Sequence, residues 1–267
     1  MAWMTGFQVL GKKSLVRDFL AIERWRAFSD ALRRETSSAV VPPLPSIAVF
    51  LAFIVTITPV ALTFAAERSR ASESVFPTLA FGVCTLLAIV SRRSLGLRLR
   101  PTENLRNALS LTHTAVALGC IPAVLAVVFS PKLLSQRHNL LSQQMQVGPH
   151  PGAHPASLIF VILLVMAIAL WVAVTEEIIF RGLLVSIIRR WHILPTQRSR
   201  DILAVLCSAV IFGAAHYSTW GPAAALGLAG LGLGFSLAYI ANGEQIVPVV
   251  LYHFAFDFLS IMLSLLL

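Results

Sequence analysis

The sequence predicts an all-α polytopic membrane protein, with seven or eight transmembrane helices and an intramembrane polar site. Three observations carry that prediction. Of 267 residues, 57% are hydrophobic and only 12% charged, against roughly 25% charged in soluble domains, and the mean hydropathy is +0.80. Apolar runs recur along the chain, most of them near the ~20 residues that a helix needs to cross the hydrocarbon core. Finally, sixteen of the 21 Lys and Arg fall in alternate connecting segments, the bias that fixes orientation by the positive-inside rule. A net charge of +9 would suggest nucleic acid in a soluble chain. Here the basic residues punctuate apolar runs, so the partner implied is the lipid bilayer and nucleic acid is excluded.

Residues 1–43 form a basic amphipathic N-terminal region. Ala21, Trp25, Phe28 and Leu32 recur at helical spacing, with Glu23, Arg26, Asp30 and Arg33 on the other side. This predicts an amphipathic helix on the membrane surface. No secretory signal precedes it, since no apolar core is followed by a small-residue cleavage site. VVPPLP at 40–45 punctuates the chain.

Residues 44–157 hold three predicted spans, at about 46–66, 76–91 and 108–129, and then the outer loop SQQMQVGPHPGAHPAS at 142–157. The loop's His150 and His154 suit a flexible external segment better than a metal site. Residues 158–267 hold four more spans, at 158–190, 202–217, 221–241 and 246–267. Seven spans place the N-terminus inside and the C-terminus outside. Cys84, Cys120 and Cys207 lie in apolar runs without metal-ligand spacing and read as small buried hydrophobes. Gly230 and Gly234, at GxxxG spacing, predict close packing of the 221–241 helix on a neighbour.

The four C-terminal spans contain charges that a bilayer disfavours by at least ~2.5–3.5 kcal/mol each. EEIIFR at 176–181 places Glu177 and Arg181 at i, i+4, where they can pair on one helix face. Glu176 points about 100° away, without a partner in its own helix. Phe212 and His216 share a face, as do His253 and Asp257. Taken as one helix, 158–190 spans ~50 Å, more than the ~30 Å core, so Arg189 and Arg190 are predicted to protrude on the inner side. If 191–200 is a hairpin tip, Glu176 and His216 lie at one depth, ~23 Å from it, and His253 lies ~10 Å into the last helix. Such convergence on three helices favours a reactive site over interhelical hydrogen bonds alone.

The three groups EEIIFR (176–181), FGAAH (212–216) and HFAFD (253–257) resemble the motifs EExxxR, FxxxH and HxxxN of the CAAX protease and bacteriocin-processing (CPBP, or Abi) family of intramembrane proteases. They occur in the family's order, and the third motif admits Asp. The resemblance covers residues 158–267, the catalytic helix core it implies. It implies an endopeptidase that cuts a membrane-associated protein or peptide, by CAAX-type, C-terminal or leader processing. By position, Glu176 activates water with His216, while His253 and Asp257 face the scissile carbonyl; Glu177, Arg181 and Phe212 give structural support. Two histidines and a carboxylate (Glu176, His216, His253) also suit catalytic Zn²⁺, as in a metalloendopeptidase; metal-independent activation by Glu and His fits equally. Asp257 departs from the family's Asn, because an ionised Asp only accepts hydrogen bonds. HExxH, GxGD and GxSG signatures are missing. Two other classes compete: a non-catalytic immunity or scaffold protein, and an ion-coupled transporter, which the lack of an internal repeat disfavours. The location implied is the cell inner membrane, multi-pass, with the N-terminus cytoplasmic.

Overall fold

A computed structural model describes residues 22–38, 104–129, 155–191 and 194–266. All the regular elements among them are helices: α1 (Ile22–Ser38), α2 (Leu105–Phe129), α3 (Pro155–Glu177), a π-helical turn (Ile178–Val185), α4 (Ser186–Arg190), α5 (Gln197–Ala215), α6 (Tyr217–Ala241) and α7 (Val247–Leu266). The predicted spans 108–129, 158–190, 202–217, 221–241 and 246–267 each coincide with helix. Those at 46–66 and 76–91, with Cys84, His150 and His154, lie outside the described residues. Among the described residues, Ile159–Arg190 and Ala224–Ala241 are long and apolar enough to cross a membrane, and Val247–Leu263 is a shorter apolar helix.

The α3 rod continues without a break through the π-helical turn into α4. In that turn the backbone bonds skip an extra residue, which re-phases the side chains beyond it by about 100°. All eight of its residues are buried. Ser186 donates its hydroxyl to the Arg181 carbonyl at 3.5 Å, which gives one of the loosened carbonyls a partner. By contrast, the outer half of α3 shows Ile159, Phe160, Leu163, Leu164, Leu170 and Trp171 at its surface. A helix apolar on all sides with such a surface suits lipid or further membrane helices.

Small residues set the α2–α6 approach. A Cβ on Gly119 would sit 2.3 Å from the Gly230 carbonyl oxygen, and one on Gly234 would sit 2.6 Å from the Cα of Val116. The Gly230/Gly234 pair therefore packs inside the molecule, as its spacing predicts. At Gly221 the backbone turns left-handed, with φ 77°. Pro222 follows and restarts the helix, a position where its fixed φ is favourable and its missing N–H costs nothing. This break, five residues past His216, sets the rest of α6 on its own axis.

Two surfaces expected to be open are covered by protein. The apolar face of α1 is turned inward: Phe28 and Ala31 are buried in the main core, with Leu32 packed against it, so protein covers that part of the stripe predicted to meet the membrane surface. At the predicted inner end of the long helix, Arg189 and Arg190 are covered by protein, 1% and 7% exposed. Arg189 pairs with Asp201 at 2.6 Å and with Glu244, and Arg190 pairs with Glu244 at 2.9 Å. Glu244 reaches both from a tight turn in which it and Gly243 adopt φ of 61° and 65°. The cluster ties the end of α4 to the start of α5 and to the α6–α7 turn. Desolvated arginines need such partners, and pairing between elements draws them in.

Candidate active site

Glu176 and Glu177 close α3, and the π-helical turn begins directly after them. Glu177 is fully buried and accepts from Arg181 Nη1 at 2.9 Å, the i, i+4 pair that the spacing predicts. The guanidinium also donates through Nη2 to the Gly232 carbonyl on α6 at 3.2 Å. Its central carbon lies 4.6 Å from the centre of the Phe212 ring and 5.2 Å from that of Phe235, within cation–π range. The same Glu177 oxygen meets His253 Nδ1 at 2.7 Å, a contact across 76 residues that helical spacing alone does not reveal.

Glu176 lies between the two imidazoles. Its Oε1 is 3.6 Å from His216 Nε2, and its Oε2 is 3.8 Å from His253 Nε2. Both separations exceed a direct hydrogen bond and suit a shared water. His216 ends α5, with Nδ1 2.7 Å from the Phe212 carbonyl oxygen. A carbonyl only accepts, so Nδ1 carries the proton and Nε2 turns to Glu176. His253 is fixed in the same sense by the ion-paired Glu177, and its Nε2 also faces Asp257 Oδ2 at 3.3 Å. The chain thus gathers Glu176, Glu177, Arg181, Phe212, His216, His253 and Asp257 from α3, the π-helical turn, α5 and α7.

Exposure divides these groups into two layers. The side chains of Glu177 and Arg181 are sealed at 0%, whereas Glu176 and His216 keep 16% and 20% and Asp257 keeps 25%. The inner layer holds the geometry; the outer layer can meet a peptide and water.

Residues 158–259 match the family described as type II CAAX prenyl endopeptidase Rce1-like. This bears out the CPBP resemblance, and the matched segment contains all three motifs. No curated protein and no solved structure matches the chain. The Rce1-like match and the two helices long and apolar enough to cross a membrane both point to an integral membrane protein.

The donor types suit zinc: two imidazoles whose Nδ1–H groups are held by oxygen acceptors, with Nε2 presented beside a carboxylate. Their placement does not suit it. Among the described residues no three His, Cys, Asp or Glu side chains gather as a metal site. Glu176 instead directs a separate oxygen to each ring, so a cage of Glu176, His216 and His253 would require the donors to draw together.

Proposed function

We propose that the chain is an intramembrane endopeptidase of CAAX-type, C-terminal or leader processing, acting on a membrane-associated protein or peptide through water activated by Glu176 and His216. The observation that carries this reading is one partly exposed carboxylate facing two imidazoles, each with Nδ1 tied back and Nε2 directed at it. In the proposed cycle, His216 Nε2 accepts a hydrogen bond from the water while Glu176 removes its other proton. The oxygen attacks the scissile carbonyl carbon, and the carbonyl oxygen becomes an oxyanion. His253, carrying a proton on Nε2, donates to that oxyanion. The C–N bond then breaks, and Glu176 passes its proton to the departing amine. Zn²⁺ enters no step. The basic connecting segments favour an N-terminus on the cytoplasmic side of the cell inner membrane.

The test is terminal-peptide profiling of membranes from cells making the wild type or Glu176→Gln at equal levels. New termini that depend on Glu176 would support the peptidase and reveal its substrate class. Identical profiles, with a wild-type phenotype that survives the substitution, would favour the non-catalytic immunity or scaffold reading. Treating the purified protein with a chelator should leave cleavage intact; loss that added Zn²⁺ restores would overturn the metal-free cycle.

Asp257→Asn gives a separate expectation. At 3.3 Å from His253 Nε2, an ionised Asp257 draws that proton away from an oxyanion, whereas an Asn amide can itself donate. Turnover should be kept or raised, measured with a peptide carrying the profiled cut site. A fall of more than about tenfold would show that Asp257 is needed as a carboxylate.

A further inference from the structure

Phe235 lies on α6, which carries none of the three motifs, yet it is 1% exposed at the centre of the site. The ring stacks on the His253 imidazole, with 4.9 Å between centroids and 26° between planes. Arg181 meets the same ring, its guanidinium carbon 5.2 Å from the centroid. Phe212 stands in a similar relation to the other histidine, at 4.7 Å from the His216 ring and 4.6 Å from the guanidinium. One guanidinium therefore touches both of these rings; Phe235 stacks on His253, while Phe212 packs on His216 and meets His253 only edge-on, at 6.1 Å and 69°.

We infer that Phe235 is a positioning residue for the reaction, fixing the plane of His253 so that its Nε2 points at Glu176 and Asp257. The inference rests on the peptidase reading for its link to turnover. His253 meets Glu177 through Nδ1 at 2.7 Å and Asp257 through Nε2 at 3.3 Å, contacts that hold two edge atoms and still permit the ring to tilt about the line joining them. A phenyl face at stacking distance removes this freedom. The backbone explains how Phe235 arrives there. Gly232 brings α6 so close that a Cβ on it would lie 3.1 Å from the Cβ of Phe212, while its carbonyl accepts from Arg181. Three residues on, Phe235 projects from the same face of the helix and lands on His253. Tyr252 also packs edge-on against Phe235, at 6.4 Å and 71°.

The test compares Phe235→Leu, which keeps apolar bulk without a ring, with Phe235→Tyr, which keeps the ring. Phe235→Leu should lower kcat roughly 3- to 10-fold with KM unchanged, and Phe235→Tyr should stay near wild type. In proton–nitrogen spectra of histidine-labelled protein, losing the stacked ring should move the His253 ring protons downfield and leave those of His216 in place. Phe235→Met, a second ring-free side chain, should give the same spectral change. Unchanged His253 ring protons, or an equal loss of kcat in the Tyr and Leu variants, would overturn the inference. Because the spectra need no turnover, a protein that cleaves nothing would sink the peptidase reading while the ring geometry is still judged separately.

Discussion

Glu176→Gln is expected to lower kcat by about 10²- to 10⁴-fold, the usual contribution of a positioned general base, with little change in KM or melting temperature. The amide has nearly the same shape and leaves the neighbouring layer intact: Glu177 keeps Arg181 and His253, and His216 keeps the Phe212 carbonyl. What disappears is the proton acceptor between the two Nε2 atoms. Stability should hold, because Glu176 stands 3.6 and 3.8 Å from its neighbours and makes no closer ion pair among the described residues. The measurement is cleavage of a membrane-anchored peptide in proteoliposomes, with melting followed in parallel. A loss smaller than tenfold in a folded variant would remove Glu176 from the role of base. His216→Ala should also impair turnover, and the double variant should lose much less than the product of the two, because groups acting on one water fail together.

The sequence made the polar layer legible because helical spacing and hairpin depth are both local arithmetic. Glu177 with Arg181 follows from i, i+4 spacing, and Glu176 with His216 follows from equal distance to the 191–200 turn. The GxxxG pair likewise pointed to the close approach that α2 and α6 make. What escaped were contacts that depend on how helices rotate about their own axes. The π-helical turn shifts that rotation, and nothing in IIFRGLLV announces it. The bond from His253 to Glu177 needs α7 to face α3 at one particular angle, so periodicity places both residues at the site without pairing them. Phe235 was hidden because a phenylalanine in an apolar helix looks like any other core residue. The burial of Arg189 and Arg190 was missed for another reason: counting rise along a helix gives depth, but the partners Asp201 and Glu244 come from other elements. Two acids within reach of the inner end were the available signal.

Arg181→Ala should destabilise the protein by about 3–5 kcal/mol, the range for removing one partner of a buried ion pair. Three losses coincide. Glu177, fully buried, keeps only His253 as a partner for its charged oxygen; the Gly232 carbonyl loses one of its donors, keeping the Ser236 hydroxyl; and Phe212 and Phe235 lose the cation between them. The size of the effect measures the exposed cost of Glu177 rather than the net worth of the pair. That net worth is limited, since Glu177 Oε2 and Arg181 Nε lack hydrogen-bond partners among the described residues. Two companion variants separate these quantities. Arg181→Lys keeps the charge but not the planar fork that serves Glu177 and Gly232 together, so it should recover only part of the loss. Adding Glu177→Gln to Arg181→Ala removes the unpaired charge and should recover more than Lys does, a coupling that a double-mutant cycle reads directly. Melting or denaturant unfolding in micelles provides the measurement. An Arg181→Ala protein that melts with the wild type would show that Glu177 does not depend on the guanidinium, and that His253 and the surrounding helices hold the inner layer by themselves.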